Sequence, residues 1–283
     1  MRQRPFAQVD VFTAEPYRGN PVAVVLDGEG LDDDEMAAFA RWTNLSETTF
    51  VLPPTDPGAD YRLRIFTPGG ELPFAGHPTI GSAHAWLGTG GLPGHAGGPV
   101  QECGVGLVRL RAGKGGRLAF AAPPLRRSGP VEPDVLARVV HGLGVPPDAV
   151  EAAQWIDNGP PWIGVVLPDA ATVLAVTPDG AAMEGLAVGV IGRYADADAA
   201  RVGAIAEVRA FVAGLGVAED PVTGSLNAGF AQWLIPAGVL PERYVVSQGT
   251  VLRRAGRVHV ERTEEATWIG GDAVTCVAGT VDL

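Results

Sequence analysis

Apolar and polar positions alternate from the start of the chain. "AQVDVF" and "NPVAVVLDG" read as a strand pair joined by a turn that holds Pro16, Gly19 and Pro21. The period then changes. "LDDDEMAAFARWTN" has acids in its first turn and Met36, Phe39 and Trp42 at helical spacing, so it predicts a helix. "ETTFVLPP" and "ADYRLRIFTPGGELPF" return to strand. "HPTIGSAHAWLG" is a second helix, with Pro78 in its first turn and Gly88 at its end. "GPVQECGVGLVRLRAGKGGRLAFAAPP" reads as two strands around a Gly-rich turn.

At "APPLRRSGPVEPD" the strand pattern stops in a stretch rich in Pro and Gly, and a domain crossover is placed there. Beyond it, "PDVLARVVHGLG" is a helix. "PWIGVVLPD", "AVGVIGRY" and "AEVRAFVAG" are strands, and residues from about 224 to 235 form a long helix. The tail from "RVHVERTEEATW" to the end is strand-rich. Each half runs strands, a Gly/Pro turn and an apolar helix ending in Trp-Leu. "GHPTIGSAHAWL" and "TGSLNAGFAQWL" align without a gap from Gly76 and Thr223, which raises an internal repeat of two α+β halves.

Composition narrows the function. The chain has 283 residues, 46% hydrophobic and only 19% charged, enough for a sizeable core and, at this length, two domains. A net charge of −11 without a basic cluster excludes nucleic acid and anionic lipid as partners. No run approaches the roughly 18–20 apolar residues of a membrane span, and the N-terminus lacks the apolar core of a signal peptide. A cytoplasmic protein is expected. Cys103 and Cys276 fit no C-x-x-C pattern and read as buried free thiols. Lys114, the only lysine, sits in a hairpin turn, which argues against Schiff-base chemistry. The five histidines form no metal-binding set, and His84, seven residues after His77, reads as packing.

Three stretches carry candidate chemistry. In "EDPVTGSLNAGF", Pro221 holds Asp220 extended beside a helix start. The first N–H groups of that helix lack internal partners and attract anions. Gly224 lets a ligand approach the backbone, Ser225 adds a hydroxyl, and Thr223 is a good N-cap. The plain alternative is that Asp220 or Thr223 merely caps the helix. In "NLSETTFVL", Glu47 opens an apolar strand. It is either a surface end-residue or a desolvated acid with a raised pKa, suited to general acid/base work. In "ELPFAGHPT", His77 stands at a helix start, as a proton relay, a carboxylate ligand or a structural cap.

With "VDVFTAEPYRGNPVAVVL", "DNGPPW" and "SQGTVLRRAGRVHV", these stretches resemble the PhzF-like isomerases of phenazine biosynthesis, relatives of diaminopimelate epimerase, over nearly the whole chain. The resemblance implies an α+β fold of two pseudo-symmetric domains, each a curved, mostly antiparallel sheet around a central helix. The domains would be residues 1–124 with 271–283, and 125–270, with the active site in the cleft between them. It implies Glu47 as the catalytic acid/base, His77 and Asp220 as its catalytic companions, and Gly76, Gly224 and Ser225 as substrate-binding residues. Glu47 and Asp220 stand where racemase relatives carry two cysteines, so a two-thiol epimerase is disfavoured. Two carboxylates near one anion repel, so at least one would be protonated in the complex. The expected enzyme is a cofactor-independent homodimer that uses no metal. It would move a proton on a small, carboxylate-bearing substrate. An epimerase built on two carboxylates and a non-catalytic acid-binding protein are the rival readings.

Overall fold

Residues 1–212 and 218–283 are described by a computed structural model of the protein. Ala213–Gly214, at the end of the strand expected at "AEVRAFVAG", and Gly216–Val217 lie outside the described residues. The chain divides into Met1–Ala121 with Gly270–Leu283, and Ala122–Ile269.

The first unit runs β1 (Gln3–Val11), β2 (Asn20–Val25), α1 (Asp33–Thr43), β3 (Glu47–Leu52), β4 (Tyr61–Thr67), β5 (Gly70–Leu72), α2 (Gly76–Gly88), β6 (Val100–Cys103), β7 (Gly106–Ala112) and β8 (Leu118–Ala121), and the chain end returns as β18 (Ala273–Asp282). The sheet order is β18-β1-β2-β3-β4-β6-β7-β8. Only β2–β3 and β4–β6 pair in parallel. β5 folds back on β4 as a hairpin. Helix α2 touches β1, β2, β3, β8 and β18, so the sheet wraps it. Its first eight residues, Gly76 to Ala83, are all buried, so this helix is covered on every side. Helix α1 is the surface counterpart. Asp32 and Glu35 form a capping box, and Asn44 closes the helix in the left-handed conformation. Met36 is buried as expected, but Trp42 is 79% exposed and stacks on Phe39 instead of entering the core.

The second unit runs β9 (Arg127–Pro130), α3 (Pro133–Leu143), β10 (Ala152–Asp157), β11 (Trp162–Val166), α4 (Ala170–Ala175), β12 (Ala187–Arg193), α5 (Asp196–Val202), β13 (Ala206–Val212), β14 (Glu219–Asp220), α6 (Gly224–Leu234), β15 (Arg243–Gln248), β16 (Gly256–Arg262) and β17 (Thr267–Gly271). The short helices α4 and α5 were not expected from periodicity. Each is under two full turns, too short for an apolar stripe to emerge, although Asp169 caps α4 through the Thr172 N–H. The core gathers Trp155, Ile163, Val165, Val188, Val190 and Phe211 against α3 and α4.

The two units share one wiring. From β1 to β7 the pairings run antiparallel, parallel, antiparallel, a hairpin strand, parallel, antiparallel. From β10 to β16 the same sequence of pairings recurs. Helices α2 and α6 occupy the same place in each.

The repeat is sharpest at the corner before each central helix. Phe66 pairs with Glu71 across the first hairpin and Phe211 with Glu219 across the second. Two residues before each Phe an arginine binds that glutamate through two bonds, Arg64–Glu71 at 2.7 and 2.6 Å, Arg209–Glu219 at 2.9 and 2.8 Å. Each arginine also lies over its phenylalanine, at 5.0 and 4.9 Å. "ELPFAG" and "EDPVTG" therefore correspond residue for residue. Gly76 is equivalent to Gly224, and the Trp-Leu alignment, which set Gly76 against Thr223, is out of register by one.

Gly81 and Gly229 occupy the same turn of α2 and α6, and both mark close approach to the sheet. A Cβ on Gly81 would lie 2.4 Å from Val22, and one on Gly229 would lie 2.7 Å from the Ile156 carbonyl. Gly81→Ala should cost about 1–3 kcal/mol by overpacking. Gly88→Ala, in open space at the end of the same helix, should be neutral or stabilising by up to about 1 kcal/mol. Denaturant melts of the two variants check this, and equal midpoints would contradict the packing account.

Candidate active site

In the first unit the parallel pairing of β2 with β3 puts the starts of both strands at one edge. Asn20 opens β2 and Glu47 opens β3, with Val22 opposite Glu47. Helix α2 begins with Gly76 and His77. The loop before Asn20 is fixed from β1. Asp10 accepts the Arg18 and Gly19 N–H groups, and a Cβ on Gly19 would overlap the Val11 carbonyl at 2.1 Å.

These starts converge. His77 Nε2 lies 3.3 Å from Glu47 Oε2, with side-chain exposures of 4% and 14%. Ser46 Oγ lies 3.3 Å from Asn20 Oδ1, and Asn20 Nδ2 lies 3.3 Å from His77 Nδ1. Burial drives the His77 pKa down to about 3, with the Pro21 carbonyl opposing weakly. His77 is therefore a neutral imidazole facing a carboxyl group, and the 3.3 Å contact is no ion pair at neutral pH. Asn20 was not singled out from the sequence. The available signal was a polar residue placed between Gly19 and Pro21 at the head of an apolar strand.

In the second unit Asp220 ends β14, and Thr223, Gly224 and Ser225 lead into α6. Thr223 occupies the N-cap position, yet its side chain makes no capping bond. Its hydroxyl donates to Asp220 Oδ2 at 2.6 Å instead. The simple helix-cap account of Thr223 is thereby set aside. Ala75, at the equivalent position before α2, has no cap to offer. At neither buried helix start does the N-cap side chain cap the helix, and neither helix has an acid in its first turn.

Ser225 is 5% exposed. Its Oγ accepts the Trp162 indole N–H at 3.0 Å, and its carbonyl accepts from Asn158 Nδ2 at 2.9 Å. That leaves the Ser225 hydroxyl hydrogen as a donor. "DNGPPW" thus supplies both supports of Ser225, a role its sequence did not reveal.

The remaining candidates resolve simply. His84 Nε2 contacts Thr275 Oγ1 at 3.1 Å, a packing role. Cys103 and Cys276 are free but half-exposed rather than buried. Cys103 is pushed up by its partial burial, the opposite of an activated thiol. Among the described residues no cluster of His, Cys, Asp and Glu is placed to hold a metal, and no helix is long and apolar enough to cross a membrane.

Residues 9–279 match the family described as "Phenazine biosynthesis-like protein", PhzC-PhzF. The chain belongs to that family. Antisense-enhancing sequence 1 of Schizosaccharomyces pombe is 36% identical, with 99% of each chain covered. The trans-2,3-dihydro-3-hydroxyanthranilate isomerase of Pseudomonas chlororaphis is 32% identical over 97% of this chain and 98% of its own. A crystal structure of a PhzF-family protein from Enterococcus faecalis superposes with a TM-score of 0.80 at 26% identity, covering 100% of both chains. A hydroxyproline epimerase from Agrobacterium vitis shares the fold, with a TM-score of 0.57 at 14% identity, 99% of this chain and 91% of its own being covered. This PhzF-family chain is an isomerase with the α+β architecture of these neighbours.

The depressed His77 pKa has a signed consequence. Between its folded value of about 3 and the ordinary 6.5, the unfolded chain binds more protons than the folded one. Stability is therefore lost as pH falls from about 6.5 toward 3. His77→Gln should show a shallower loss of melting temperature over that range, measured by circular dichroism. A variant with the wild-type slope would contradict a buried neutral imidazole.

Proposed function

We propose that this isomerase moves a proton between carbons of a small, cyclic, carboxylate-bearing substrate without a cofactor, and that Glu47 is the acid/base. One observation carries the reading: Glu47 is a largely buried carboxyl group at a strand start, 3.3 Å from an imidazole held neutral. A group that must both give and take a proton benefits from a neighbour that does not lock it as an ion pair. His77 faces that carboxyl as a neutral group. Gly76 and Gly224 offer backbone N–H groups to substrate oxygens, and Ser225 offers its hydroxyl to the substrate carboxylate. Asp220 supplies a second carboxyl group for the substrate.

The names of the Pseudomonas relatives supply the probe, trans-2,3-dihydro-3-hydroxyanthranilate. In heavy water the enzyme should form product carrying one solvent deuterium on carbon, read by mass spectrometry. Glu47→Gln should lower that rate by about 10²–10⁴-fold with the fold intact. Full activity in Glu47→Gln removes Glu47 from the role. An epimerase would instead invert an amino-acid centre, which polarimetry with proline and hydroxyproline would reveal.

We further propose that the protein works as a cytoplasmic homodimer. Its two free cysteines and acidic surface support the compartment. Analytical ultracentrifugation should give twice the chain mass of 29.3 kDa, and a species at the chain mass would rule the dimer out.

A further inference from the structure

The second unit contains a directional hydrogen-bond chain that ends on Asp220. Gln248, at the end of β15, is fully buried. Its Oε1 accepts the Thr223 backbone N–H at 3.0 Å and Asn227 Nδ2 at 3.0 Å. Its Nε2 donates to the Asp220 carbonyl at 3.2 Å and to Thr223 Oγ1 at 2.9 Å. A backbone N–H can only donate and a carbonyl can only accept, so these two partners fix which end of the Gln248 amide is which. Asn227 is fixed the same way, because its Nδ2 donates to the Thr223 carbonyl at 2.8 Å. The Thr223 hydroxyl has one hydrogen. Facing a donor at Gln248, it accepts there, and its hydrogen is directed at Asp220 Oδ2, 2.6 Å away. That separation lies in the range of a hydroxyl bound to an ionised carboxylate.

The duplicated corner shows that this chain is not needed to make the turn. At the positions of Asp220 and Thr223 the first unit has Leu72 and Ala75, and its helix α2 starts in the same way. Two arginines lie on the neighbouring elements. Arg209 on β13 is held by Glu219 and by the carbonyls of Val173 and Val176. Arg254 follows the Gly249 turn, which abuts the Pro221 carbonyl.

We propose that Gln248 and Thr223 are positioning residues that hold Asp220 as the carboxylate, leaving Glu47 to carry the mobile proton. Hydrogen bonding to the charged form favours that form, and the buried amide removes the freedom of the hydroxyl to turn away. The part concerning Glu47 rests on the function proposed above. The part concerning Asp220 does not, and its test uses no substrate.

The experiment is a carbon-13 NMR titration of the full chain labelled at the aspartate side-chain carboxyls, with the Asp220 line identified by its loss in Asp220→Asn. Thr223→Ala installs the residue that the first unit already tolerates. It should raise the Asp220 midpoint by about one pH unit. Thr223→Ser, which keeps the hydroxyl, should stay close to wild type. Gln248→Leu should raise the midpoint in the same direction, and if that variant fails to fold, the Thr223 pair decides alone. An unmoved midpoint in a folded Thr223→Ala, or an equal rise in Thr223→Ser, would overturn the proposal. A raised Asp220 midpoint in Thr223→Ala with isomerisation unaffected would uphold this chain of bonds and count against the function proposed for Asp220.

Discussion

Burying a helix on every side creates a demand at its N-terminus that a surface helix does not face. The first N–H groups have no partner inside the helix, and buried polar groups left unpaired are costly. Helix α1, at the surface, meets this with a capping box from its own sequence. Helices α2 and α6, each at the centre of a sheet, have no side-chain cap. Their starts are places where an anionic group is welcome, and the polar residues of the candidate site are gathered there. The surrounding fold keeps these starts buried, through close glycine contacts at Gly81 and Gly229 and through arginine–glutamate clamps at the preceding corners.

The duplication separates scaffold from chemistry. Arginine, phenylalanine, glutamate, proline and glycine recur at both corners, and each has a structural reason: the bidentate pair, the cation stacked on the ring, the fixed approach to the helix, and the exposed backbone. Divergence falls on what points at the helix start. The first unit has Leu72, Ala75 and His77 where the second has Asp220, Thr223 and Ser225. Each half therefore brings different functional groups to the same backbone geometry.

A buried amide sets the polarity of the Asp220 group. Gln248 faces the Thr223 hydroxyl with its NH2, which sends that proton to Asp220. There a neutral side chain, itself anchored by a backbone N–H and a carbonyl, decides which atom donates and which accepts. Such control over proton position needs no net charge.

The sequence alone determined the elements whose signals are local. Strand alternation, the acid-rich start of α1 and the apolar-rich α2 and α6 follow from side-chain period and capping chemistry within a few residues. Glu47, His77, Asp220, Gly224 and Ser225 were legible as candidates because each stands next to a helix or strand start, and Gly76 through the family resemblance. Tertiary structure decided what depends on separation in the chain. It set the register of the repeat, since strand pairing and not the Trp-Leu match makes Gly76 equivalent to Gly224. It placed Trp42 outside, because the face of α1 that packs is chosen by the sheet beneath it. It also joined Asn20, Glu47 and His77, and joined Gln248 to Thr223 and Asp220. A hydrogen bond acts over about 3 Å, so which distant polar residues come within that reach is fixed only when the strands carrying them are laid side by side.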